Sequence, residues 1–260
     1  MNYALITGAS KGIGKEIALQ LADRKINLVL VARSADLLKT FATELEVKYS
    51  ISVKTLALDL SLQNAAQQVF DFCKTNNLTI SILINNAGYG LWGNFEKIPL
   101  TDLNNMVQLN NNLVVNLCHL FIPELKKNTP AYIMNVCSTA AYQAVAYLTV
   151  YAASKAFVLL FTRGLRQELK QYGISVTCLS PGSTDTNFTN RANMNERLKK
   201  TADKFNMKPK DVAKAAVDGM FNKKAEILPG LTNLISAKAA EIMPKSLTES
   251  IAKSLYSPDK

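Results

Sequence analysis

A chain of 260 residues with 48% hydrophobic and 19% charged residues has enough apolar material for a sizeable core and too little charge for wholesale disorder. Its 30 Lys and Arg against 20 Asp and Glu give a formal net charge of +10, but the basic residues are scattered and no nucleic-acid motif accompanies them, so no nucleic-acid role is expected. One histidine, His119, and four separated cysteines (Cys73, Cys118, Cys137 and Cys178) exclude a His-rich or CxxC metal site and read as buried thiols in a reducing cytoplasm.

The first strand, YALIT (3–7), begins almost at Met1, so no leader peptide is expected. It runs into TGASKGIG (7–14), and a helical spacing of Ile13, Ile17 and Leu21 follows. Gly8 permits a tight turn, Gly12 lets backbone approach a pyrophosphate, and Gly14 lets helix and strand pack closely. The helix N-terminus then offers free N–H groups to phosphates. Three glycines alone are a weak signal, and an ordinary Gly-rich turn is the plain alternative. The strand before and the helix after make the context specific.

The second strand, NLVLVA (27–32), ends in Ala32-Arg33-Ser34. A carboxylate there would suit the ribose hydroxyls of NAD; Arg33, with Lys11 in the glycine loop, instead suits a 2′-phosphate and favours NADP(H). The third strand, VKTLAL (53–58), leads to Asp59 and Leu60, which suit an adenine ring, although Asp59 and Ser61 suit a helix cap equally well. After the fourth strand, ISILIN (80–85), NNAG (85–88) supplies small residues beside a ribose and asparagines able to tie strands together.

The fifth strand, AYIMNV (131–136), is followed by Ser138, and thirteen residues later comes YAASK. Tyr151 and Lys155 share one helix face. An ammonium about 5 Å away, at an effective dielectric of about 20, would favour a phenolate by about 3 kcal/mol, or about two pK units, less whatever desolvation takes back, and an oxidised nicotinamide would add another positive charge. That expectation makes Tyr151 a usable acid for a carbonyl and a base for an alcohol, with Ser138 holding the substrate oxygen. A cap by Ser138 is the structural alternative. The mid-segment lysine also argues against a membrane span here. The sixth strand, ISVTCL (174–179), precedes SPGSTDTNF, and a short AEIL (225–228) ends the series.

Short apolar strands alternating with amphipathic helices imply an α/β fold: a doubly wound parallel sheet of about seven strands with helices on both faces, in a single domain over 1–260. Residues 183–210 mix Phe188, Met194, Phe205 and Met207 with many charges; such a stripe suits internal packing as well as a pocket. Residues 230–260 read as two amphipathic helices divided at Pro244. They could cover a cavity mouth, join a dimer or rest on a membrane surface; packing on the same subunit is the plainest expectation, and membrane contact is not expected.

Together TGASKGIG, NNAG, Ser138 and YAASK, in this order, resemble the short-chain dehydrogenase/reductase family over residues 3 to about 228. The resemblance implies an oxidoreductase moving hydride between NADP(H) and a carbonyl or secondary alcohol of a small molecule. Tyr151 becomes general acid/base, Lys155 lowers its pKa and binds the nicotinamide ribose, and Ser138 orients substrate. Asn110, thirteen residues before Pro123, completes the catalytic set through a water held by its backbone. The implied cofactor-binding set is Gly8, Ser10, Lys11, Gly12, Ile13, Gly14, Arg33, Asp59, Leu60, Asn86, Ala87, Gly88, Tyr151, Lys155, Pro181, Gly182, Thr184 and Thr186. It also implies a substrate lid at 183–210 and a homodimer or homotetramer built on the helices at 101–127 and 151–172; no metal is expected, from the lone His119 and the separated cysteines. The competing readings are a dinucleotide sensor without turnover, against which the intact Ser138, Tyr151 and Lys155 set weighs, and an interaction protein using the basic tail.

Overall fold

The computed structural model describes residues 2–258. Its strands are β1 (Asn2–Thr7), β2 (Asn27–Ala32), β3 (Val53–Ala57), β4 (Thr79–Asn85), β5 (Ala131–Val136), β6 (Ile174–Leu179) and β7 (Glu226–Ile227). They form one sheet in the order β3-β2-β1-β4-β5-β6-β7, and every neighbouring pair is parallel. The helices are α1 (Gly12–Asp23), α2 (Ala35–Tyr49), α3 (Ala65–Thr75), α4 (Leu100–Val107), α5 (Leu113–Lys127), α6 (Thr149–Leu169), α7 (Phe188–Arg191), α8 (Glu196–Phe205), α9 (Pro209–Phe221), α10 (Leu231–Ile242) and α11 (Lys245–Tyr256).

The period-2 geometry of a strand explains the two apolar layers. Ala4, Ile6, Leu28 and Leu30 point to one face and meet Ile17, Leu21, Phe41 and Val217 of α1, α2 and α9. Tyr3, Leu5, Val29 and Val31 point to the other and meet Val69, Leu117, Phe121 and Leu165 of α3, α5 and α6. Each fully buried Leu or Ile here is worth about 1.5–3 kcal/mol of transfer free energy, which is why the strands carry no polar alternation. The doubly wound parallel fold expected from the sequence is the fold observed.

Chain order reverses beside β1, which pairs with β2 on one side and β4 on the other. In an open parallel sheet the strands' C-terminal ends splay apart at such a point and leave a crevice. The loops carrying the motifs all emerge there.

Two local features differ from the sequence expectation. The continuous helix expected over 101–127 is interrupted: a π turn, Gln108–Asn112, joins α4 to α5. The wide turn places Asn110 and Asn111 inward, with Asn110 1% exposed. The helix expected to run to Tyr172 ends at Leu169 and tightens into a 3-10 turn, Lys170–Tyr172.

Candidate active site

A cavity of about 990 Å³ opens along the crevice. That is at the top of the ~300–1,000 Å³ range of small-molecule sites. At one end it is floored by the glycine loop. Gly8 and Gly12 have φ of 68° and 56°, the left-handed region where a side chain is strained. A Cβ on Gly8 would also lie 2.8 Å from Asn86 Nδ2. The loop is pinned across the crevice: Thr7 Oγ1 accepts from the backbone N–H of Asn86 (2.9 Å) and Ala87 (3.1 Å), and Asn86 Nδ2 donates to Thr7 O (2.8 Å). Thr7 is thus a site residue that motif reading passed over, although it opens the quoted motif. Lys11 provides no side-chain cap to α1, so the helix N-terminus faces the cavity with its donors unspent.

Of the residues assigned to cofactor contact, Gly8, Ser10, Lys11, Gly12, Ile13, Arg33, Asp59, Leu60, Asn86, Ala87, Gly88, Pro181, Gly182, Thr184 and Thr186 line this cavity with Tyr151 and Lys155. Gly14, of that set, does not line it: it is buried, and a Cβ there would sit 2.4 Å from Asn86 Nδ2 and 2.5 Å from Gly8 O, in keeping with the packing read from the motif. Its role is the close packing of helix against loop. The open choice at Asp59 resolves to a local turn that still faces the cavity. Its Oδ1 accepts from Ser61 N (2.9 Å) and Ser61 Oγ (2.7 Å), and those bonds hold its carboxyl below the usual range. A glycine cradle, free helix N–H groups and the cations Lys11 and Arg33 together fit a dinucleotide and its phosphates.

The catalytic candidates converge at the centre of the cavity. Ser138 sits directly past β5, its Oγ accepting from Ala140 N at 3.1 Å, so the anticipated cap is present and the hydroxyl nonetheless reaches the Tyr151 phenol. Tyr151 and Lys155 are both buried on α6, at 8% and 5% exposure. That helix is tied to the sheet by a buried chain: Asn85 Nδ2 to Asn135 Oδ1 (2.8 Å), then Asn135 Nδ2 to Thr162 Oγ1 (3.0 Å). Lys155 Nζ donates to Val136 O at 2.9 Å.

Asn110 does not line the cavity. Its side chain brackets the Tyr89 backbone, accepting from Tyr89 N (3.1 Å) and donating to Tyr89 O (2.9 Å), and it also donates to Ser154 Oγ (3.0 Å). Its side chain thus locks the segment after β4 to α6, and the water-holding role implied for Asn110 belongs to its backbone. Asn111 adds a second lock, donating to Ser154 O at 2.9 Å.

The expected lowering of the Tyr151 pKa by Lys155 is not what the protein alone displays. Burial pushes the phenol up, and the Ser138 hydrogen bond offsets only part of this. Lys155 lies 5.9 Å from the Tyr151 ring centre with its ammonium directed to a carbonyl, and burial lowers its own pKa. Desolvation of two buried groups outweighs the attraction that their spacing suggested.

The other end of the cavity was less legible. Phe188, Met194 and Phe205 line it, but Met207 packs instead against the α9 face of the sheet. The Phe188 ring lies 5.2 Å from that of Tyr151. Helices α10 and α11 pack on the same subunit and also wall the cavity, through Ala237, Ala240, Ala252, Leu255 and Tyr256. Trp92 Nε1 donates to Tyr256 O (2.8 Å), and Arg197 Nη2 donates to Leu255 O (3.1 Å) and Ser257 O (2.8 Å). Tyr256, whose negative form would disfavour ionisation of Tyr151, carries no motif that could have singled it out. Among the described residues there is no metal-ligating cluster, and no helix is long and apolar enough to cross a membrane.

Residues 2–197 match the sequence profile of the family described as short chain dehydrogenase. The chain is 36% identical over 187 residues to a very-long-chain 3-oxoacyl-CoA reductase of Rattus norvegicus, covering 69% of this chain and 58% of that one. It is 31% identical over 240 residues to the Homo sapiens 17-beta-hydroxysteroid dehydrogenase type 3, covering 91% and 76%. The chain spans little more than half the length of the 3-oxoacyl-CoA reductases it matches. Among solved structures, a short-chain dehydrogenase from Sphingobium yanoikuyae in complex with NADPH superposes with a TM-score of 0.82 at 27% identity, over 99% of this chain and 96% of that one.

Proposed function

The chain belongs to the short-chain dehydrogenase family, and on that premise we propose that it is an NADP(H)-dependent oxidoreductase interconverting a bulky apolar ketone and its secondary alcohol. The observation that carries the reading is the placement of Ser138 and Tyr151 together in a cavity whose other end is a glycine cradle flanked by Lys11 and Arg33. The cofactor, when bound, supplies or accepts the hydride.

The protein's part is proton transfer and placement. The Ser138 hydroxyl donates to the substrate oxygen and holds it beside the phenol. Tyr151, kept protonated by its burial, gives its proton to that oxygen as the carbonyl is reduced, and its phenolate takes the proton back in the reverse direction. Lys155 offers a buried cation beside Gly88, where a Cβ would lie 3.4 Å from its Nζ, and is available to ribose hydroxyls. Preference for NADP(H) rests on Arg33 and Lys11, both exposed at the cavity and without a carboxylate at the end of β2.

The walls support this substrate class. Leu91, Val145, Leu148, Met194, Leu198 and Leu255 line the cavity and give an apolar frame surface to bury, while Asn105, Gln143 and Thr201 offer only a few polar contacts. The names of the relatives, acting on 3-oxoacyl-CoA and on 17-beta-hydroxysteroids, point to ketones on large apolar frames. Exposed Phe157 and Leu160 on α6 support assembly into a homo-oligomer through that helix, and the four free, buried cysteines support a cytoplasmic setting. The test is NADPH absorbance against a panel of ketones of rising size, beside Tyr151→Phe. Turnover that grows with apolar bulk and needs Tyr151 is expected; preference for small polar aldehydes would sink the substrate class.

A further inference from the structure

Arg191 ends the short helix α7, whose first residue, Phe188, packs on Tyr151. Four helical residues rise only about 6 Å, so one turn of lid joins the catalytic phenol to this guanidinium. The Arg191 guanidinium stacks over the Tyr89 ring, 4.3 Å from its centre. Tyr89 is in turn fixed by Asn110, which holds both its backbone N–H and its carbonyl. The arginine is thus placed by a rigid platform.

Its surroundings have a surplus of positive charge. The basic residues lining the cavity are Lys11, Arg33, Lys155 and Arg191, and the acidic ones are Asp59 and Asp102. Arg191 and Arg33 lie within electrostatic reach of one another and both act on Asp59, whose carboxylate is already engaged by Ser61. Both guanidiniums line the same cavity, Arg191 held over the Tyr89 ring, and like charges facing one space favour an anion between them. A planar fork on each side is the donor set that recognises a phosphate.

Resting on the NADP(H) reading above, we propose that Arg191 is a lid-borne specificity residue: with Arg33 it grips the phosphate on the adenosine ribose, and that grip seats the lid whose Phe188 packs on Tyr151. Cofactor identity is then read twice, once by the fixed loop after β2 and once by the lid. The non-phosphorylated dinucleotide would leave the second grip unmade.

The test is equilibrium binding of NADPH, NADH, adenosine 2′,5′-bisphosphate and 5′-AMP to the full chain, with Arg191→Leu, Arg191→Lys and Arg33→Ala beside the parent. Losing a charge-assisted contact to phosphate should weaken NADPH and the bisphosphate at least tenfold in Arg191→Leu, leave NADH and 5′-AMP within about twofold, and be partly restored in Arg191→Lys. Equal losses for NADPH and NADH, or no loss for either, overturn the proposal and make Arg191 a latch on Tyr89. If the parent itself does not prefer NADPH, the underlying cofactor reading falls and this proposal with it. If the parent prefers NADPH, Arg33→Ala abolishes the preference and Arg191→Leu leaves it intact, only the lid assignment fails.

Discussion

At the dinucleotide end of the cavity, each lining group lies within a few residues of a strand terminus: the glycine loop after β1, Arg33 after β2, Asp59 after β3, Asn86–Gly88 after β4. At the substrate end, the walls come from Leu91, from α8 and from α10 and α11, and the bond from Trp92 to Tyr256 joins residues 164 positions apart. The first end is held by the sheet itself, through bonds such as Asn86 Nδ2 to Thr7 O. The second is held by apolar packing between segments far apart in the chain, such as Leu148, Met194, Leu198 and Ala252. A site built on strand ends is rigid and written in local motifs. One built from distant helices can change its wall residues with little cost to the sheet, which is how one fold accepts many substrates.

The catalytic phenol sits between the two regions, so removing its hydroxyl should stop the chemistry without loosening either end. Tyr151→Phe is expected to lower kcat by about 10³-fold, within the range of lost general acid catalysis, and to leave NADPH affinity within about twofold. Steady-state kinetics with binding titration separates the two. A variant retaining a tenth of the parent rate would show that another group supplies the proton.

Ending the chain after Met243 removes α11 and opens one wall while leaving the strand-end loops untouched. The kcat/KM for bulky ketones should fall by about tenfold to a hundredfold, because apolar pocket contacts are worth about 1–3 kcal/mol, and NADPH affinity should hold. Arg197→Ala, which removes the bonds to Leu255 O and Ser257 O, should give a smaller loss in the same direction and serves as the control if the shortened chain folds poorly. Equal losses in cofactor binding and catalysis would erase the distinction between the two ends.

The contrast also marks what could be read from the sequence. Gly8, Arg33, Asp59 and Ser138 were legible because each follows an apolar strand directly, and strand ends in a parallel sheet face the crevice. Arg191 and Tyr256 were not, since a charge in a polar lid and an aromatic in a terminal helix reach the cavity only once α7 and α11 have packed. The π turn at Asn110 escaped for a related reason: its asparagines fit an ordinary helix locally, and only their bonds to Tyr89 and Ser154 explain the wider turn. Gly14 was legible as well: the close helix packing read from the motif is the contact its missing Cβ allows.

The pH dependence tests the same contrast at Tyr151, where local spacing predicts a lowered pKa and burial a raised one. With the phenol held above its ordinary value, the proton donor persists through neutral pH, so kcat/KM for reduction should be flat from about pH 6 to 8. Oxidation needs the phenolate and should rise with pH, approaching tenfold per unit while the phenol remains protonated. A reductive profile falling above about pH 7 would return the decision to Lys155 and the local reading.

The smallest effect should come from Trp92→Phe. It keeps an aromatic ring beside Leu91 and deletes only the N–H that donates to Tyr256 O. A neutral hydrogen bond contributes about 1 kcal/mol, so KM for bulky ketones should rise about fivefold or less while kcat, set by Ser138 and Tyr151, stays near the parent value. A larger drop in kcat than in substrate affinity would mean that the Trp92–Tyr256 tie positions the catalytic phenol. The substrate wall would then belong to the same rigid unit as the strand ends.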